Sequence, residues 1–218
     1  MVHSNIRAVI FDMDGVITDT EPLHMEAELL TCADHGIVAP IEMWEGFRGH
    51  TTLDIFETIV ARCCPGQHDP AALAEYKVRT YLRIAPARMT VFPGVLDFIA
   101  ACAVKYTLAL TTSSRVEIQR EAFRRFGLAP HFTVITTGDE VTHGKPHPEP
   151  YQLTVARLGL VAGECAVIED SDAGIRSAAS AGCIPLGITN SFPSETLHAA
   201  GAAFVASTYD QLATHLGL

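Results

Sequence analysis

The run Ile6-Arg7-Ala8-Val9-Ile10-Phe11-Asp12-Met13-Asp14-Gly15-Val16 decides how this chain is read. Its first six residues are almost wholly apolar and rich in β-branched side chains, as in a strand covered on both faces of a parallel sheet. The run then stops on two aspartates one residue apart, with a glycine behind them. Three later runs repeat the design. Residues 106–110 end at Thr111-Thr112-Ser113-Ser114, residues 132–135 lead through a loop to Lys145, and residues 165–168 end at Glu169-Asp170. Helical patterns at 115–126, 150–158 and 171–181 alternate with them, each followed by glycine or ending beside one. A further strand is expected at 184–188, a short one around Phe204-Val205, and a closing helix at 209–216. Such alternation predicts an α/β fold: a doubly wound, Rossmann-like parallel sheet with helices on both faces.

More than 90 residues separate Phe11 from Tyr106, far more than one crossover helix needs, and they show little strand pattern. Leu23, Ala27, Leu30 and Ala33 form one helical stripe before Gly36. Leu53, Phe56, Ile59, Val60 and Cys63 form another, opened by Thr51 or Thr52 and closed by Pro65-Gly66. Residues 71–84 supply a third, and Pro93-Gly94 marks the return. The expectation is a helical cap domain at 19–90 inserted after the first strand, with a core domain made of 1–18 and 91–218.

Composition bounds the function. Of 218 residues 48% are hydrophobic and 18% charged, enough to bury a core and unlike a disordered or coiled-coil chain. Fifteen lysines and arginines against 25 acids give a net charge of −10, which disfavours nucleic acid and anionic membrane surfaces as partners. No apolar run approaches the roughly 18 residues of a membrane span, and Asp12 interrupts the first apolar stretch before a secretory core could form. A cytoplasmic monomer acting on a small molecule is expected. Six cysteines without a CxxC pair read as buried free thiols. His143 and His147 flank Pro146 and precede Pro148, so they cannot share a helix face.

In an open parallel sheet, ligands bind beyond the carboxyl ends of the strands, so the polar strand ends are expected to converge. Asp12, Asp14, Glu169 and Asp170 would then face one fixed cation, Lys145. Two carboxylates about 4 Å apart repel by roughly 4 kcal/mol at an effective dielectric near 20. Such a cluster calls for a divalent ion, raised pKa values, or both. Donors that are all oxygen favour Mg²⁺ over zinc. Lys145, the Thr112 hydroxyl and the amides around Ser113 are donors suited to an anionic substrate, and a transferring phosphoryl group fits them. Asp12 could attack phosphorus as a carboxylate, while Asp14 protonates the leaving oxygen and then activates water. Blander readings exist for each piece. Asp-Gly favours turns, Glu169, Asp170 and Ser171 suit a helix N-terminus, Thr111 to Ser114 can cap the helix that follows, and Lys145 alone could be a solvated loop residue.

Taken together, Asp12-Met13-Asp14-Gly15-Val16, Thr112, Gly144-Lys145-Pro146 and Glu169-Asp170-Ser171-Asp172-Ala173-Gly174 resemble the four ordered motifs of the haloacid dehalogenase superfamily. The resemblance spans nearly the whole chain and is strongest for the capped phosphatase and phosphomutase branch, which includes the relatives of β-phosphoglucomutase. It implies an aspartyl-phosphate mechanism with Asp12 as nucleophile, Asp14 as acid and base, and Thr112 and Lys145 binding the phosphoryl group. It also implies Mg²⁺ held by Asp12, Asp14 through its carbonyl, and Asp170, with Glu169 joining the shell. Dehalogenase relatives lack the second aspartate, so Asp14 argues for phosphate chemistry. In the cap, Thr20 and His24 resemble the hinge and site-facing residues of that branch, and Arg48-Gly49 its substrate loop. Where mutases of the branch carry an arginine for a distal phosphate, this chain has Thr52. The expected activity is therefore a Mg²⁺-dependent phosphatase of a small phosphorylated metabolite, a sugar phosphate foremost, with a β-phosphoglucomutase-like isomerase as the alternative. A receiver-type phospho-switch would carry its aspartate on a later strand and lack a cap.

Overall fold

In the computed structural model, which describes residues 5–47 and 49–218, the strands are β1 (Ala8–Phe11), β2 (Thr18–Asp19), β3 (Thr90–Val91), β4 (Thr107–Thr111), β5 (Val134–Thr136), β6 (Cys165–Glu169), β7 (Ile184–Ile188) and β8 (Phe204–Ala206). Six of them form one parallel sheet in the order β5-β4-β1-β6-β7-β8. The order reverses beside β1, which pairs with β4 on one side and β6 on the other. A crevice opens at such a reversal, and β1 delivers Asp12 to it.

Alternation along β1 splits its side chains between two cores. Val9 and Phe11 pack with helices α4 (Val95–Lys105), α5 (Val116–Phe126) and α9 (Tyr209–Leu216). Ala8 and Ile10 pack with α6 (Glu149–Leu158) and α7 (Asp172–Ser180). All four β1 residues are fully buried, the reason the run lacks a polar face. Phe11 meets Phe98 and Phe132 edge-on at 5.9 and 5.8 Å between centroids, anchoring the strand on two elements. Helix α8 (Ser194–Ala200) covers the far side near β7 and β8.

Between β2 and β3 the chain forms α1 (Glu21–Asp34), a 3₁₀ segment (Ile41–Phe47), α2 (Thr52–Cys63) and α3 (Pro70–Ile84). Thr51 caps α2, its hydroxyl accepting from the Asp54 amide, and Asp69 caps α3. These helices have an apolar cluster of their own, around Trp44, Ile55, Phe56, Ile59, Val60 and Leu73. Leu23, Ala27, Val78 and Tyr81 instead join the core beneath the sheet. The two ends of the excursion are stitched by β2 and β3, which pair antiparallel. All six cysteines are free and five are buried, Cys63 being half-buried. No helix among the described residues is long and apolar enough to cross a membrane.

Candidate active site

The Asp12 amide donates to the Ile168 carbonyl at 3.0 Å, so Asp12 prolongs the ladder and its side chain leaves the sheet at the crevice. A tight turn then closes on Met13, with the Ile17 and Thr18 amides both bonded to its carbonyl. Gly15 makes that turn possible. Its φ is +83°, and a Cβ there would stand 1.9 Å from Asp170 Oδ2.

Asp14 is held by four donors. Oδ1 accepts from Thr20 Oγ1 at 2.6 Å, His24 Nε2 at 3.1 Å and Thr18 Oγ1 at 3.3 Å, and Oδ2 accepts from Ser114 Oγ at 2.7 Å. On its other side His24 Nδ1 faces Lys77 Nζ at 2.9 Å. An ammonium only donates, so Nδ1 accepts and Nε2 carries the hydrogen given to Asp14. Lys77 is itself buried against Glu28 Oε1 at 3.2 Å. Burial pushes Asp14 upward, but His24 and the Thr20 and Ser114 hydroxyls outweigh it and hold the carboxyl well below the usual range.

Lys145 lies beneath the pair, 2% exposed, with Nζ donating to Asp12 Oδ1 at 2.8 Å, Glu169 Oε1 at 2.6 Å and the Thr111 carbonyl at 3.3 Å. Its three protons are thus all in use, and it is not among the residues lining the cavity described below. Glu169 is equally engaged. Oε1 also accepts from Tyr151 Oη at 2.7 Å, and Oε2 from the Asp170 and Ser171 amides and the Ser171 hydroxyl. Ser171 caps α7 through the Gly174 amide. The capping role expected for this stretch is real and coexists with the acid cluster.

Asp12, Glu169 and Asp170 each bring a carboxylate oxygen within 4.8 Å of the others, all buried. Burial first, and then the charges of Glu169 and Asp12, push Asp170 far above the ordinary range. Burial likewise raises Asp12 to about 8 against the pull of Lys145, because that single ammonium is shared with Glu169. Three acids against one cation leave an electrostatic deficit that a hard divalent ion would fill, so this donor set fits Mg²⁺.

Above the acids lies a cavity of about 210 Å³. Asp12, Asp14, Thr112, Ser113, Ser114 and Asp170 form its floor, and His24, Glu28, Trp44, Gly49, Thr52 and Lys77 line it from the helical excursion. Ser113 Oγ donates to the Gly49 carbonyl at 2.7 Å, joining the two parts. Gly49 has φ +81°, and a Cβ on it would come 2.9 Å from Ser171 Oγ. Thr112 Oγ1 accepts from the Ser114 amide at 3.0 Å, which leaves its own proton for a ligand.

The structure thus brings Asp12, Asp14, Thr112, Ser113, Thr20, His24, Gly49, Glu169 and Asp170 to one place, with Lys145 underneath. Arg48 lies outside the described residues. Sequence reasoning missed Ser114, Tyr151, Glu28 and Lys77. Lys77 did carry a signal: it interrupts the stripe Leu73, Ala74, Val78, Tyr81 on the buried side of α3, where a lone cation needs a partner.

Fold and site together define a class, and the comparisons agree. Residues 6–182 match the family model described as haloacid dehalogenase-like hydrolase, so the chain belongs to that family. Particular relatives narrow the neighbourhood. The chain is 33% identical over 183 residues to the phosphorylated carbohydrates phosphatase of Thermotoga maritima, covering 81% of this chain and 82% of the relative. It is 29% identical over 181 residues to the fructose-1-phosphate phosphatase YqaB of Escherichia coli, covering 83% and 95%. Among solved structures, one described as a “putative beta-phosphoglucomutase” from Thermotoga maritima is 29% identical with a TM-score of 0.71 over 97% of both chains. CbbY from Rhodobacter sphaeroides in complex with phosphate is 26% identical with a TM-score of 0.84, covering 98% of this chain and all of that one.

Proposed function

We propose that this chain is a Mg²⁺-dependent phosphatase of a small phosphorylated carbohydrate, working through an aspartyl-phosphate on Asp12. One observation carries the reading: two aspartates one residue apart at the sheet's reversal have opposite environments, Asp12 among like charges over Lys145 and Asp14 among four donors. The lowered carboxyl of Asp14 suits it to act as the base of the hydrolytic half, while Asp12, raised by burial and like charges in the ion-free site, is the ionised nucleophile once a divalent cation offsets those charges. The names of the Thermotoga and Escherichia relatives support the carbohydrate phosphate class.

Asp12, Asp170 and the main-chain carbonyl of Asp14 would hold the ion, with Glu169 at the back of the set. When bound, the ion supplies positive charge against the phosphoryl oxygens. Lys145 orients Asp12 from below, and Thr112 with the amides near Ser113 receives the phosphoryl group. An ionised Asp12 oxygen attacks phosphorus as the ester oxygen leaves; Asp14, entering this half-reaction in its protonated form, gives that oxygen its proton and becomes the carboxylate that its hydrogen-bond donors favour. Asp14 then takes a proton from water, whose oxygen attacks the phosphoaspartate, releasing phosphate and regenerating Asp12. The arrangement with Thr20, His24 and Ser114 around an ionised Asp14 is the one suited to the second, hydrolytic half. We read residues 19–90 as the cap whose closure excludes bulk water, and a cytoplasmic, monomeric enzyme is the simplest setting.

The β-phosphoglucomutase homologue is the observation that keeps a second reading, transfer of the phosphoryl group back to the sugar. Thr52, where mutases of the branch carry an arginine, favours hydrolysis. A panel of sugar phosphates with Mg²⁺, scored for inorganic phosphate and for isomers, separates them. Phosphate release without isomer formation is expected; conversion of a sugar 1-phosphate to its 6-phosphate without release would establish the mutase.

A further inference from the structure

Outside the cavity, the loop carrying Lys145 presents another group of metal-seeking side chains. His143 and His147 stand two residues to either side of Lys145, and Glu149 opens α6. The prolines keep the two histidines off a common helix, as expected, yet the loop brings their rings to 4.7 Å between centroids. His143 Nδ1 lies 3.0 Å from Glu149 Oε2, and His147 Nδ1 lies 3.9 Å from the same oxygen. One ligand atom from each residue falls within 4.8 Å of the other two. Ligand atoms about 2.1 Å from a tetrahedral ion are about 3.4 Å apart, a spacing these two distances bracket.

The carboxylate is already fixed in place. The Thr142 amide donates to Oε1 at 2.7 Å and the His143 amide to Oε2 at 3.0 Å. The Thr142 amide, followed by the His143 ring, holds the Glu149 carboxyl below its ordinary range, so it is an anion at neutral pH. The side chains of His143 and His147 are 63% and 50% exposed, which gives an ion direct access.

We propose that His143, His147 and Glu149 form a surface site for an imidazole-preferring divalent transition ion such as Zn²⁺, separate from the buried carboxylates. Two imidazoles and one carboxylate suit Zn²⁺ or Ni²⁺ and not Mg²⁺, which demands oxygen donors. Water completes the shell. On binding, the ion replaces the His143 Nδ1 proton now directed at Glu149, and that proton moves to Nε2, leaving the ring neutral. His147 Nδ1 gives up the bond it accepts from the Glu149 amide at 3.2 Å. The bound ion ties together the loop on both sides of Lys145.

Calorimetric titration of the full chain with Zn²⁺ under saturating Mg²⁺ tests this, alongside His143→Ala and His147→Ala. One equivalent binding in the micromolar range, weakened at least about tenfold in each variant, is expected. Co²⁺ should give a visible spectrum without the near-ultraviolet thiolate band, and lose it in the same variants. No binding below about 100 µM, equal binding by the variants, a thiolate band pointing to the cysteines, or loss of the site on adding Mg²⁺ would each overturn the proposal. Because both rings are exposed, circular dichroism of the variants is expected to match the parent.

Discussion

At the residue scale, one ammonium, that of Lys145, is shared between the Asp12 and Glu169 carboxylates. Asp12→Asn should reduce phosphate release below about 1% of the parent while the fold survives, because the amide still fills the space but cannot form the acyl-phosphate. Ser114→Ala removes a donor from Asp14 Oδ2. The Asp14 pKa should then rise, moving the acidic limb of the kcat profile to higher pH and lowering kcat about tenfold. The buried acids also set a stability signature. Asp12 and Asp170 have folded pKa values above their ordinary ones, so in ion-free protein their contribution is present below about pH 4 and is lost as pH rises, that of Asp12 through about 8. Asp14 has the opposite sign, and its contribution falls away only on the acid side of that window. The thermal midpoint of chelator-treated protein should therefore drop between pH 5 and 8, with Mg²⁺ restoring more at pH 8. A midpoint that climbs across this interval without ion would show that the three acids are not coupled as described.

At the element scale, what the sequence disclosed was what period and punctuation encode. The strands β1, β4, β5, β6 and β7 end where their apolar runs meet polar residues, and the four helices α5, α6, α8 and α9 are capped at their C-terminal ends by a glycine in the left-handed region. Helix α4 was illegible by pattern: Val95–Lys105 is apolar nearly all round, so it shows no stripe. The two-residue strands β2 and β3 are too short for any periodicity to form, and their paired residues, Thr18 with Val91 and Asp19 with Thr90, lie 73 and 71 positions apart along the chain. Convergence of acids at strand ends was readable because topology alone dictates it. The Lys77-His24-Asp14 chain was not, since it needs α1 and α3 side by side. Gly15→Ala tests the turn that brings β1 up to Asp170: positive φ and a clash with a buried carboxylate should cost about 2 kcal/mol or more in urea unfolding and weaken Mg²⁺ binding. An alanine tolerated within about 0.5 kcal/mol would mean the turn is freer than its geometry implies.

For the whole molecule, the cavity exists because the helical excursion closes over the sheet's reversal, with Thr20, His24 and Gly49 touching Asp14 and Ser113. The buried Lys77–Glu28 pair holds that face in shape. Lys77→Ala strands a buried carboxylate and should destabilise by about 3 kcal/mol, whereas adding Glu28→Ala should recover part of the loss. If the double variant is as unstable as the sum of the singles, the pair does not interact as its distance suggests. In the proposed reaction one strand-end aspartate is transiently phosphorylated. Acid-quenching the turning-over enzyme, reducing it with borohydride and sequencing the peptide around residue 12 by mass spectrometry reads that step out. Reduction of an aspartyl-phosphate yields homoserine, expected at position 12 only; active enzyme with unmodified Asp12, or with homoserine at another aspartate, would rule out a phosphoaspartate on Asp12.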